Sequence, residues 1–549
     1  MGTVGSPLSV TSTGFTIPDL ESGLAFLARL PLANPLQAEA SLNQFFDTLL
    51  EAPPPVMTYL NLLEQTRVPL CFVEEELARR YVNKPLPLGE VEEQAFCQVN
   101  AIWRKVTRAY SQCAQLDADA DDPEHPLRVA LVLHRCIYYT SMIIVEHHRA
   151  RRELPAGTWL DLHGYYASAE EWGVATYPLA DALDPHGRAT HCMAAFTAAL
   201  LMELGGPYSL SVRDQGVVRR WASQWAPLVS VVCAAPGEPL PAYVVDLMQD
   251  FGLRPSSECL NTDNLRRLDT SRLALVLGQI RQQLSQKIPP GQIGLGEDCS
   301  PGQCKRLLDH LSRPWTQARA ARKFRRHATS GIARVGVGFE AMHYFVSGQE
   351  FVQPENTRMY SRQDFDTLFA FRHMEDPSAK LLSQQRYQLP AADQWEAVNQ
   401  SATGFRLIRS IVGSKVAHYQ LIAICPPDGD RFFLAQVTWL MQDRGNGLVA
   451  GVAALPGAPL AIAARVLTGH TGKMELYTRA FLLPAVEAVG APPSLVIPAG
   501  WFQAARLIEV VTDKTWWARI DHVLQEGPDF ERVSFTVEER PSHANPKGQ

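Results

Sequence analysis

The sequence predicts a multidomain α + β protein: an N-terminal all-α helical domain followed by an antiparallel β-barrel and a second small β-barrel. Three observations carry this. The chain has 549 residues, enough for several folding units at about 100 to 200 residues each. Apolar residues recur at helical spacing from about Leu20 to Arg319. After Arg326 the pattern changes to short β-rich runs separated by turn signals such as PPDGD and DRGNG.

In the helical part, LNQFFDTLLE places Leu42, Phe45, Phe46, Leu49 and Leu50 on one face, and RVALVLHRCIYYTSMIIVEHHRARR has the length and spacing of a long, largely buried helix. HCMAAFTAALLMELGG ends at paired glycines suited to a helix C-cap. Asn261, Thr262 or Asp263 can cap the amphipathic stretch that follows them. The aromatics Trp159, Tyr165, Tyr166, Trp172, Trp221 and Trp225 read as helix-packing anchors.

The β part begins with ARVGVGFEAMHYFVSG and continues through GFRLIRS, YQLIAICP, RFFLAQVTWLM and GLVAGVAAL. AFLLPAV, PSLVIPAG, ARLIEVV, WWARIDHVL and RVSFTVEE repeat the texture as a second barrel, with Trp501, Phe502, Trp516 and Trp517 filling or lidding its core. The expected organisation is a loose tail over 1–18, the all-α domain over 19–312, a basic linker over 313–326, a barrel over 327–465 with an insertion at about 349–394, a second barrel over 466–540, and a tail over 541–549.

Hydrophobic residues make up 46% and charged residues 20%, with 36 Gly and 39 Pro, which excludes a wholly disordered, collagen-like or coiled-coil chain. Fifty-one basic against 57 acidic residues give a net charge of -6, which argues against bulk nucleic-acid binding and leaves room for a local basic patch. The ten cysteines include no zinc-binding set, since Cys299 and Cys304 lack a second pair or a histidine; they read as reduced thiols of a cytoplasmic protein. The N-terminus lacks the charged and apolar regions of a signal peptide. Residues 445–464 carry no charge over a length that can cross a bilayer, but Pro456 and Pro459 would leave carbonyls without donors in lipid. A strand followed by a turn is expected there, and no membrane span.

The densest charge feature is RAARKFRR, with Arg319, Arg322, Lys323, Arg325 and Arg326. Arginine suits phosphate because its planar fork offers paired donors, and its flat face stacks on a base; alone, such a run reads rather as a solvated basic face or a positively charged interdomain linker. The second feature is WEAVNQSATGF, where Asn399, Ser401 and Gly404 form N-x-S-x-x-G at the start of a β-rich block. Asn offers a donor and an acceptor to a base edge, Ser a small hydroxyl, and Gly a close backbone approach; alone, this is an ordinary polar turn.

In combination, Arg322 and Arg326 as R-x-x-x-R on a linker entering a barrel, then N-x-S-x-x-G, then strands reading VTWL and GLVAGVAAL, the chain resembles the PilZ domain family over roughly 319–465. The resemblance implies a small β-barrel that binds cyclic di-GMP, a bacterial second messenger. It implies Arg322 and Arg326 as a clasp on phosphates and guanine faces, and Asn399, Ser401 and Gly404 as the barrel-side site. Arg319 and Arg325 are reserve phosphate contacts.

Enzyme readings find little support. Glu146, His147 and His148 sit in a helical run without an HExxH pattern, and adjacent histidines point to different sides of a helix. The glycines of GQIGLGEDC follow a Pro-rich loop rather than a strand. The expected protein is a non-enzymatic receptor that needs no cofactor, binds cyclic di-GMP, and signals through its helical domain to an unidentified partner protein. The rival reading is a ligand-independent scaffold or adaptor with a degenerate barrel.

Overall fold

The computed structural model describes residues 17, 19–117, 122–184, 186–234, 240–259, 262–318, 327–354, 390–401, 403–410, 412–467 and 476–538. The chain forms two compact units, residues 1–84 with 88–321, and residues 322–549 with 85–87.

The first unit opens with helices α1 Leu20–Leu27, α2 Pro35–Glu51, α3 Val56–Ala78, α4 Glu90–Leu116, α5 His125–Arg149, α6 Thr158–Glu171, α7 Cys192–Leu204 and α8 Val212–Trp225. Their starts are written locally. Asn34 caps α2 ahead of Pro35, and Ser211 caps α8, each through a side-chain oxygen that accepts an otherwise unpaired backbone N–H. α7 ends as its glycines require, with Gly205 at the C-cap and Gly206 at φ 66°. Leu42, Phe45, Phe46 and Leu49 of α2 are fully buried.

α5 runs through the middle of the core and is buried around most of its circumference. It is the one helix among the described residues long and apolar enough to cross a membrane, and 72% of that stretch is buried inside the protein. Its polar groups are matched within the unit: the Arg135 guanidinium donates to both Glu64 carboxylate oxygens at 2.9 and 2.8 Å. Glu146 accepts from Tyr81 and Arg149, and His147 Nδ1 lies 2.8 Å from the Ile143 carbonyl. Burial pushes His147 down to about 4, which keeps it neutral. Glu146 and His147 are therefore satisfied parts of the core, and His148 Nε2 stands 3.1 Å from a Glu203 carboxylate oxygen. Trp221, Trp225 and Trp315 pack edge to face and tilted against one another.

The multidomain α + β description holds, and the first unit adds to it a four-stranded sheet that helical spacing does not reveal. Strands β1 Ser230–Cys233, β2 Tyr243–Asp246, β3 Arg254–Pro255 and β4 Leu265–Asp269 pair antiparallel in the order β1-β4-β2-β3. The run after Thr262 and Asp263 is thus strand β4. The helix α9 Ser271–Ser285 starts later, with Thr270 at its N-cap and Asp269 accepting from the Ser271 amide at 3.0 Å; Asn261 lies outside the described residues. In α10 Pro301–Trp315, Cys299 and Cys304 take the N′ and N4 positions, where a pair of apolar side chains staples a helix start. All ten cysteines are free.

In the second unit, β5 His327–Ala328 and β6 Ile332–Val337 are followed by helix α11 Phe339–Ser347, then β7 Asp393–Ser401, β8 Gly404–Arg409, β9 Leu421–Cys425, β10 Phe433–Gln442 and β11 Leu448–Ala454. The sheet order is β5-β7-β6-β9-β10-β11-β8, and pairing of β7 with β8 closes it into the first barrel. FEAMHYFVS, whose aromatic texture reads as strand, is α11; its Met342 is buried in a cluster with Leu421, Leu434, Phe481 and Phe530. Most of the expected insertion, 355–389, lies outside the described residues.

The second barrel comprises β12 Leu460–Val466, β13 Thr478–Leu483, β14 Ser494–Pro498, β15 Leu507–Val511, β16 Thr515–Glu526 and β17 Phe530–Glu538, closed in the order β12-β13-β14-β17-β16-β15. Stretch 445–464 is the end of one strand pair, a turn, and the start of β12, as its prolines require. β12 pairs with β13 and β15, so this strand, which sequence texture allots to the first barrel (327–465), belongs to the second. Trp501, Phe502 and Trp516 pack against the second core, and Trp517 is not part of that cluster.

Candidate functional site

β5 and β6 act as one strand interrupted at 329–331, both lying on the same edge of β7. His327 pairs with Gln400 and Ala328 with Asn399; four residues on, Ile332 pairs with Glu396. The arginine-bearing stretch 319–326 itself, with Arg319, Arg322, Arg325 and Arg326, lies outside the described residues. Its covalent continuation at His327 enters the sheet beside the N-x-S-x-x-G strand.

Asn399, Ser401 and Gly404 sit on the β7–β8 hairpin. Ala397 is opposite Leu407, and Asn399 is opposite Arg406, so Val398 is an extra residue forming a β-bulge. In an unbroken strand Val398 would oppose Arg406, and Asn399 would share the inner face with Phe405. The bulge shifts the alternation by one. Asn399 and Ser401 thereby join Gly404 and Arg406 on the outer face, the re-aiming that bulges provide near binding sites. Ser401 Oγ donates to the Gly404 carbonyl at 3.3 Å. Gly404 has a structural reason of its own, since a Cβ there would stand 2.6 Å from the Val452 carbonyl oxygen of the neighbouring strand.

Following the register across the barrel gives one lateral row. Ala328 is opposite Asn399, Asn399 opposite Arg406, Arg406 opposite Gly451, and Gly451 opposite Trp439. Residues paired in this way share a face. Gly451 makes the row a notch: a Cβ there would overlap the pyrrole ring of Trp439, which rests on the glycine. The Arg406 guanidinium reaches over that gap to 5.8 Å from the Trp439 ring centroid. Arg406 Nε is buried without a hydrogen-bond partner, and the half-buried Asn399 amide has none among the described residues.

The outer face therefore offers an amide with a free donor and acceptor, a guanidinium cation, and an indole. Chemically this suits a flat heteroaromatic ring with polar edges and an anionic group. The motif marks Asn399, Ser401 and Gly404, whereas Arg406 and Trp439 lie outside it. The signal for Arg406 was present: in a strand starting at Gly404, the residue two further on shares its face. Trp439 required the register.

The family described as "Cyclic-di-GMP receptor FimW, N-terminal domain" matches residues 21–236, the helical part. "Cyclic-di-GMP receptor FimW, middle PilZ domain" matches residues 243–388, which include the arginine stretch and β5 and β6 and stop short of Asn399. "FimW C-terminal beta-barrel domain" matches residues 462–537, the second barrel. The chain is also 24% identical over 526 residues to the cyclic-di-GMP receptor FimW of Pseudomonas aeruginosa, covering 88% of this chain and 85% of that protein. These descriptions name a receptor, a binding protein rather than an enzyme. With all three domains matched in chain order, the chain belongs to the PilZ domain family, as a member in which an N-terminal helical domain precedes the PilZ domain and a C-terminal β-barrel.

Proposed function

We propose that this chain is a cyclic di-GMP receptor whose ligand is held between the arginines of 319–326 and the outer face of the first barrel. The observation that supports this reading is the pairing of His327, the residue after Arg326 in the chain, with Gln400 on the hairpin bearing Asn399 and Ser401. Arg322 and Arg326 take the phosphates and stack on guanine, with Arg319 and Arg325 in reserve. Asn399 addresses a guanine edge, Ser401 and Gly404 shape the hairpin against the ligand, and Arg406 and Trp439 provide a cationic and aromatic surface beside it. A cyclic dinucleotide has two phosphates and two purines, and this set supplies partners for both.

The receptor state is passed by the helical unit to a partner protein. Support comes from α3, which exposes Val68 and Phe72 one helical turn apart on its outer face. The free thiols support a reducing, cytoplasmic setting.

Calorimetric titration of the full chain with cyclic di-GMP tests the reading. Wild type binds at micromolar concentration or tighter, and Arg322→Ala and Arg326→Ala each lose about 1.5 to 3 kcal/mol, the worth of a charge-assisted contact. Absence of heat and of any thermal shift at ligand excess would establish the scaffold reading instead.

A further inference from the structure

The first unit contains a cleft of about 1030 Å³ that the proposed receptor site does not use. It lies between α5, which contributes Tyr138 and Met142, and α8, which contributes Gln215, Arg219 and Ser223. Its floor comes from α7 as Ala194, Ala195 and Ala198. Helical cores ordinarily fill such a space with large side chains to reach close packing. Here three alanines face it, and the volume is that of a small-molecule site.

The charges on the walls are nearly all neutralised by neighbours. Asp181 is paired with Arg67, Asp184 with Arg188, Glu75 with Arg149, and Arg220 with Asp298. Arg219, half-buried, has no carboxylate in ion-pair range among the described residues; the other unpaired wall charge, Glu297, is on the exposed rim. Arg219 shares the lining of the cleft with Tyr138 and Cys71. One turn earlier on the same helix, Gln215 is 9% exposed. Its amide nitrogen donates to the His148 and Pro207 carbonyls, and its Oε1 accepts nothing.

We propose that this cleft binds an amphiphilic anion: a small molecule with an apolar body lying on the alanine floor and one carboxylate, sulfonate or phosphate group at Arg219. The unpaired guanidinium selects the charge, and the Tyr138 and Met142 walls select the body. The cleft shares no residue with the proposed cyclic di-GMP site.

The fluorescent amphiphile 8-anilinonaphthalene-1-sulfonate, titrated into the full chain, is the test probe. Wild type gives saturable emission that dodecanoate displaces. Arg219→Gln weakens the probe by roughly tenfold or more, as loss of a charge-assisted contact requires, and Arg219→Lys restores most of it. Ala198→Phe fills the floor and abolishes the saturable phase, with helicity checked by circular dichroism; Arg219→Gln keeps the test decisive should Ala198→Phe not fold. Equal titrations for wild type and Arg219→Gln, or no saturable phase in wild type, would overturn the proposal.

Discussion

His327 stands opposite Gln400 in the first barrel, so the last arginine of the basic stretch is one peptide bond from a strand lying against Asn399. The chain that follows the basic stretch is thus a neighbour of the N-x-S-x-x-G strand in the sheet. Cross-strand pairing makes this contact, and the β-bulge at Val398 decides which side chains the β7–β8 hairpin presents.

Trp439 is expected to contribute to cyclic di-GMP affinity as a flat surface. Stacking of a base on an aromatic side chain is worth about 1 to 3 kcal/mol. Trp439→Leu should therefore weaken binding by roughly tenfold or more in calorimetry, with barrel stability largely retained. An unchanged dissociation constant would remove Trp439 from the site.

Gly451→Ala tests the notch itself. The added methyl would occupy the place of the Trp439 pyrrole ring, and overpacking of this kind costs about 1 to 3 kcal/mol. The variant should lower the urea midpoint of the second unit and weaken cyclic di-GMP together. A variant with wild-type stability and wild-type binding would show that the indole does not need the glycine.

Much of the fold is legible in the sequence because its period is strong. α2, α5 and α7 show helical spacing with caps written beside them, and the β runs are cut by turns with a mechanism, such as Asp443 accepting from the Gly447 amide at 2.7 Å in DRGNG. What escaped depends on partners distant in sequence. LRRLD has no apolar alternation and becomes β4 only by pairing with β1 and β2. FEAMHYFVS is aromatic enough to pass for a strand, and it is helical because Met342 and Phe339 bury against both barrels. The assignment of β12 is likewise a matter of pairing. At the site, Asn399 and Ser401 stand out as a motif, whereas Arg406 and Trp439 join them through a register that the bulge sets.

The helical unit should show an unusual pH response at Glu74. Both carboxylate oxygens are buried without hydrogen-bond partners, and burial, then the charges of Glu39 and Glu146, raises its pKa well above the usual 4.5. Between 4.5 and that raised value the folded chain holds a proton the unfolded chain has lost. This contribution to stability is present below pH 4.5 and declines as pH rises through the folded pKa. Glu74→Gln, neutral at every pH, should be more stable than wild type at pH 8, with the gap closing toward pH 4.5, by chemical denaturation followed through ellipticity. A pH-independent difference would contradict this assignment.

The most direct measurement is a double-mutant cycle by calorimetry, titrating cyclic di-GMP into wild type, Arg326→Ala, Asn399→Ala and the double variant. If the arginine stretch and the hairpin hold one ligand together, each single variant weakens binding and the double variant loses less than the sum, with a coupling of about 0.5 to 3 kcal/mol. Strictly additive losses, or tight binding that survives both substitutions, would contradict a shared site.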